Sequence, residues 1–123
     1  MGKVLLIEDN PVNQLVFEGM ITELGFEIDI ADNGEQGIEM WKQKYYDIIF
    51  MDVQMPVMDG LDATRIIRSL EKPDAHLPII ALTANAMEED EYACLAAGMD
   101  AFMTKPLNLQ VLRETLCLHT AYI

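Results

Sequence analysis

The stretch Tyr46–Gly60, YDIIFMDVQMPVMDG, decides the fold. Ile48, Ile49, Phe50 and Met51 form a continuous apolar run, the pattern of a strand covered on both faces of a parallel sheet. The run ends on a carboxylate, Asp52, then breaks into a loop carrying Pro56 and Gly60. A core strand that closes by presenting an acid needs neighbours able to hold that charge.

Working outward from Asp47–Asp52, four more β-rich segments appear: Lys3–Glu8, Phe26–Ala31, Pro78–Thr83 and Asp100–Lys105. Helical patterns separate them. Asn10 and Pro11 offer an N-cap and a proline at the first helical position, Val12, Leu15, Val16, Gly19 and Met20 recur with a helical period, and Gly25 supplies a stop. The second helix starts at Asn33-Gly34 and is expected to bury Ile38 and Trp41; the third carries Ala63, Ile66, Ile67 and Leu70. The fourth opens on Glu88, Glu89, Asp90 and Glu91, where acids suit the helix dipole, and closes at Gly98. The fifth carries Leu109, Leu112 and Leu116 after Pro106. Strict alternation predicts an α/β fold, a (βα)5 doubly wound parallel sheet with right-handed crossovers and helices on both faces, formed by residues 1–123 as one domain. For five strands in a chain of this size the expected order is 2-1-3-4-5.

Composition narrows the function. Of 123 residues, 51% are hydrophobic, enough for a proper core, yet no apolar run approaches the roughly 18 residues of a membrane span. MGKVLLIEDN lacks the pattern of a signal peptide, and Leu6 stands where a myristoylation signal needs Ser or Thr. The expectation is a soluble cytoplasmic chain. Eight basic against 21 acidic residues give a net charge of −13, which disfavours direct nucleic-acid binding and favours a cation or a basic partner surface. Cys94 and Cys117 have no metal or redox spacing and read as small hydrophobes; His76 and His119 read as solvated. The nine methionines read as core filler.

In an open α/β sheet, ligands bind beyond the carboxyl ends of the strands where strand order reverses, here between the first and third strands. The first strand delivers Glu8 and Asp9 there, the third Asp52, the fourth Thr83 and the fifth Lys105. Two unit charges ~4 Å apart repel by roughly 4 kcal/mol at an effective dielectric of about 20, so three clustered carboxylates need a counter-charge. Lys105 offsets part of it, and a hard divalent cation such as Mg2+ does so better. Ala84 leaves room for a phosphate-sized group to approach the Thr83 hydroxyl and the next backbone N–H. Lys105-Pro106 is a reasonable site for a cis peptide that would aim the lysine inward.

At these residues the chain resembles the receiver domain of two-component response regulators, over essentially its whole length. IEDN, MDVQMPVMDG, IIALTANAM and AFMTKP stand in family order and spacing, and QMPVMDG, ATRIIR and CLAAGMDAFMTKP are closest in phrasing to receivers of hybrid sensor histidine kinases. That phrasing favours a hybrid-kinase module over a stand-alone receiver. The resemblance implies a flavodoxin-like receiver fold and a phosphorelay switch rather than a conventional enzyme. Asp52 would accept a phosphoryl group from a phosphohistidine on a kinase dimerisation domain or a histidine phosphotransfer domain. Asp9, Asp52 and the main-chain carbonyl of Gln54 would ligate Mg2+ (or Mn2+), and Glu8 would act through a metal-bound water. Lys105, Thr83 and the Ala84 backbone would hold the phosphoryl oxygens. Thr83 and Phe102 would form the switch that remodels the face of the fourth helix, fifth strand and fifth helix, and the resemblance leaves room for a dimer that forms on phosphorylation. Glu8 departs from the aspartate many members carry, and Gln54 and Asn85 occupy positions that tune phosphoryl lifetime.

Two other classes fit less well. A haloacid-dehalogenase-type phosphohydrolase needs a second aspartate two residues past its nucleophile, where this chain has Gln54. A flavodoxin-like cofactor binder would want a Ser/Thr/Gly-rich phosphate loop after the first strand, and EDNPVNQ is acidic there.

Overall fold

A computed structural model describes residues 2–53, 58–84, 88–105 and 107–120, and of 88–90 the backbone only. The strands are β1 (Lys3–Ile7), β2 (Glu27–Ala31), β3 (Ile48–Asp52), β4 (Ile79–Thr83) and β5 (Ala101–Thr104). The helices are α1 (Pro11–Glu23), α2 (Gly34–Gln43), α3 (Gly60–Leu70), α4 (Glu88–Ala97) and α5 (Leu109–His119). The sheet is parallel throughout, as the alternation predicts, and its order β2-β1-β3-β4-β5 is the one expected for five strands in a chain of this size.

Successive strand residues point to opposite faces, and the core divides accordingly. Val4, Leu6, Ile48, Phe50, Ile80 and Leu82 pack with Phe17, Ile21, Leu112 and Leu116, which places α1 and α5 on one face. Leu5, Ile7, Ile49, Met51, Ile79 and Ala81 pack with Ile38, Ala63, Ile67 and Cys94, which places α2, α3 and α4 on the other. Helix ends follow the sequence signals. The Asn10 side chain accepts from Val12 N and Asn13 N at 2.9 and 3.1 Å, and Asn33, Asp59 and Asn108 cap α2, α3 and α5 in the same way. Gly25 and Gly98 follow α1 and α4 at φ of 88° and 108°, the left-handed conformation that favours glycine after a helix.

One periodicity misleads. The stripe Val12, Leu15, Val16 is the natural core face of α1 in the sequence, yet these residues are 68%, 70% and 48% exposed. The buried stripe is Phe17 and Ile21, with Asn13, Met20 and Leu24 partly covered. Both stripes have helical spacing, and the larger one wins the core. Phe17 sets its ring 4.9 Å from that of Phe50, and an aromatic there buries more apolar surface than a valine could. Trp41 is likewise half-buried rather than enclosed, and Leu70 is 51% exposed.

Candidate acidic site

Each strand hands over its polar residue where the ladder runs out. Glu8 N donates to Ala31 O at 3.0 Å, so pairing with β2 persists one residue past β1. Glu8 is 1% exposed, its side chain held over the central strands, while Asp9, one residue on, is more open to solvent. Asp52 closes β3, buried, and Val53 N donates to Leu82 O at 3.2 Å. Lys105 N donates to Thr83 O at 2.8 Å, which extends the β4–β5 pairing and carries the lysine to the same rim. Gly60 is held close beneath. Its N–H donates to Val53 O at 3.2 Å, and a Cβ there would run into the backbone of Asp52 and lie 2.9 Å from Val53 Cα.

The side chains converge. Lys105 Nζ lies 3.0 Å from Glu8 Oε1 and 3.3 Å from Asp52 Oδ2. Glu8, Asp9 and Asp52 each present a carboxylate oxygen, all within 4.8 Å of one another. Burial is the main force pushing the Glu8 carboxyl above its ordinary range; the Asp52 carboxylate beside it adds to the shift and Lys105 opposes it. Burial works against the Lys105 charge, but the bond to Glu8 and the field of Asp52 and Glu8 outweigh it, and its pKa is raised. Among the described residues the pocket is therefore short of positive charge: three acids cluster, and the Lys105 ammonium pairs with two of them, Glu8 and Asp52. Hard oxygen donors at this spacing suit a hard divalent cation.

Residues 4–117 match the sequence profile of the response regulator receiver domain. The chain belongs to that family. At the level of structure, this receiver is similar to the receiver domain of sensor histidine kinase PA1611 from Pseudomonas aeruginosa, solved with magnesium coordinated in its active-site cleft. The TM-score is 0.88 at 42% identity, over 96% of each chain. It is also similar to the receiver domain of Saccharomyces cerevisiae Ssk1, solved with the histidine phosphotransfer protein Ypd1, with a TM-score of 0.88 at 31% identity over 96% of this chain and 88% of that one. Among curated proteins, Histidine kinase 5 of Arabidopsis thaliana is 42% identical over 93% of this chain and 15% of its own length. Hybrid signal transduction histidine kinase I of Dictyostelium discoideum is 42% identical over 93% of this chain and 7% of its own. The receiver thus spans a small fraction of the kinases it matches. No helix among the described residues is long and apolar enough to cross a membrane.

The other sequence-predicted positions of the receiver fall as follows. Thr83 is buried at the end of β4, opposite Thr104 in register, and Ala84 just beyond is exposed. Phe102 on β5 is half-buried against the cluster under α2–α4. Gln54, Pro56, Asn85 and Pro106 lie outside the described residues. Trp41 lines a groove of about 820 Å3 together with Asp47 and Pro78, which precede β3 and β4. It therefore sits at the opposite end of the sheet from Asp52. His76, expected to be solvated, is exposed but places Nε2 2.6 Å from Asp100 Oδ1.

Sequence reasoning missed two features of the rim. A cavity of about 190 Å3 beside the acids is lined by Glu8 and Lys105 together with Asn13, Val16 and Phe17, so the exposed apolar stripe of α1 begins at the edge of the site. Gln14, also on α1, bonds the carbonyl of Glu8. The first had a sequence signal, an apolar stripe surplus to the core; the second had none.

Proposed function

We propose that this receiver is a phosphorelay switch in which Asp52 accepts a phosphoryl group from a phosphohistidine. The observation that carries the reading is the convergence of Glu8, Asp9, Asp52 and Lys105 at the carboxyl ends of three strands. Asp9 and Asp52, with the carbonyl of Gln54, would hold Mg2+ directly and Glu8 would act through a metal-bound water; the cation would supply charge neutralisation to the pocket and to the transferring group. Asp52 is the nucleophile: its Oδ forms a bond to phosphorus as the P–N bond of the phosphohistidine breaks, and the imidazole departs with the bonding pair. Lys105, already placed between Glu8 and Asp52, turns its ammonium to the phosphoryl oxygens. The Thr83 hydroxyl and Ala84 N–H donate to the same oxygens. Positioning and charge neutralisation are most of what phosphoryl transfer requires. The product is an aspartyl phosphate, and the chain acts in the cytoplasm as a switch that promotes its own phosphorylation and hydrolysis rather than as a conventional enzyme. Thr83 drawn toward the phosphate frees space that Phe102 fills, and the α4–β5–α5 face changes with it.

The test is intact mass after incubation with acetyl phosphate, with and without Mg2+, followed by borohydride trapping and peptide mapping. A single Mg2+-dependent adduct at Asp52 is expected. An adduct on another residue, or one indifferent to Mg2+, sinks the assignment.

The partner meets the site over α1. Val12, Leu15 and Val16 form an exposed apolar stripe whose inner end lines the cavity shared with Glu8 and Lys105. A helical surface presenting a phosphohistidine would cover this stripe while its imidazole reached Asp52. Leu15→Asp is expected to slow transfer from a histidine phosphotransfer domain at least about tenfold, the loss of one well-buried anchor, and to leave phosphorylation by acetyl phosphate unchanged. Equal rates from both donors would move the docking surface elsewhere.

A further inference from the structure

The geometry points to Gln14 as a positioning residue for the metal-binding acids, acting through the peptide that joins Glu8 to Asp9. This rests on the acidic pocket being a Mg2+ site. Gln14 Nε2 donates to Glu8 O at 2.6 Å and to Asp32 Oδ1 at 2.8 Å. A primary amide carries two N–H groups on one nitrogen, so both bonds form together. The carbonyl it grips belongs to the Glu8–Asp9 peptide, whose orientation decides where both acidic side chains start.

Among the described residues, few other bonds fix that turn. The last ladder bond, Glu8 N to Ala31 O, lies before it, and the Asn10 cap serves the helix after it. Asn10 N stands 3.5 Å from Glu8 Oε2, at the outer limit of hydrogen bonding. Gln14 spans the gap and makes it fast to a second anchor. The Asp32 backbone is itself held, its N–H donating to Gln36 Oε1 at 2.6 Å, and the Gln36 N–H in turn donates to the Asn33 cap at 2.8 Å. The acid pair is thus tied through Gln14 and Asp32 to the amino end of α2. Three like-charged groups confined within 4.8 Å tend to spread. A tether on the backbone between two of them opposes that spreading before any cation arrives, so less ordering is left for binding to accomplish.

The experiment is calorimetric titration of the whole chain with MgCl2 for wild type, Gln14→Leu and Asp32→Asn, with melting in EDTA and the acetyl phosphate rate at saturating Mg2+. Leucine keeps the bulk of glutamine and removes both donors; asparagine at 32 keeps an acceptor and removes the charge. Gln14→Leu is expected to weaken Mg2+ binding about tenfold, the low end for residues that orient metal ligands. Its rate at saturating Mg2+ should stay within about twofold of wild type, because the reacting groups are untouched. Asp32→Asn should bind Mg2+ within about threefold of wild type, the bond surviving. Unchanged Mg2+ affinity in Gln14→Leu overturns the tether, as does an equal loss in Asp32→Asn, which would assign the effect to the Asp32 charge. A wild type that binds no Mg2+ removes the metal-site reading itself and the tether with it.

Discussion

Asp52→Asn is expected to take up no phosphoryl group from acetyl phosphate at any Mg2+ concentration, and to melt above wild type when metal is absent. The first half follows from chemistry, since an amide oxygen cannot form the acyl phosphate. The second follows from the charge balance. At an effective dielectric of about 20 and the 4.8 Å limit on their separation, Glu8 and Asp9 each repel Asp52 by about 3.5 kcal/mol. Lys105 at 3.3 Å returns about 5 kcal/mol. Repulsion exceeds attraction, and solvent screening at the more open Asp9 trims the surplus to about 1 kcal/mol. The gain should appear as a melting point a few degrees higher in EDTA, and Mg2+ should close the gap by stabilising wild type more than the variant.

The pH dependence has a definite sign. Glu8 is more easily protonated in the folded chain than in the unfolded one, through burial first and Asp52 second. The folded state therefore binds more protons between the unfolded and folded pKa of Glu8, and stability falls as pH rises through that window. The cost is fully present above the folded pKa and fades toward acid pH. Removing the Asp52 charge removes part of it, so the advantage of Asp52→Asn in EDTA should shrink as pH is lowered below neutrality. Melting curves at several pH values test this; a variant less stable than wild type at pH 7 without metal would show that Lys105 outweighs the acids.

Much of this arrangement is legible in the sequence because a parallel sheet of known order fixes where strand ends go. Glu8, Asp52, Thr83 and Lys105 each follow a short apolar run, and once the order is β2-β1-β3-β4-β5 they share a rim. The caps at Asn10, Asn33 and Asn108 are equally local, one polar side chain reaching two or three residues ahead. The face of α1 is not local. Val12, Leu15 and Val16 compete with Phe17 and Ile21 for the core, and only the position of Phe50, 33 residues on, decides between them. Gln14 and Asp32 meet because β2 lies beside β1, across 18 residues, and no pattern within α1 announces it. A hydrophobic stripe that loses this competition remains in the sequence for another reason, and its place beside the acids supplies one.

Arg68→Ala is expected to lower stability by about 3 kcal/mol, toward the low end of the cost of breaking a buried ion pair. Its side chain is 15% exposed, and each guanidinium nitrogen is engaged. Nε donates to Gly98 O at 2.8 Å, Nη1 to both Glu71 oxygens at 3.0 and 2.9 Å and to Leu77 O at 2.8 Å, and Nη2 to Asp100 Oδ2 at 2.8 Å. One side chain on α3 thereby fixes the turn before β4, the end of α4 and the start of β5. Alanine takes the counter-charge from the Glu71 carboxylate, whose side chain is only 8% exposed and which keeps the Leu77 N–H at 2.8 Å, and leaves two carbonyls to find water. Lysine restores the charge but cannot reach four acceptors with a planar fork, so Arg68→Lys should recover about half the loss. For a chain of this length 3 kcal/mol corresponds to roughly 10 °C in melting temperature, which chemical and thermal denaturation both resolve. Leu77 and Asp100 stand at the amino ends of β4 and β5, the opposite end of those strands from Thr83 and Lys105. At 25 °C the folded fraction of Arg68→Ala should therefore take a phosphoryl group from acetyl phosphate at the wild-type rate. A large loss of rate with little loss of stability would mean that the two ends of the sheet are coupled, and that the hub serves the site as well as the fold.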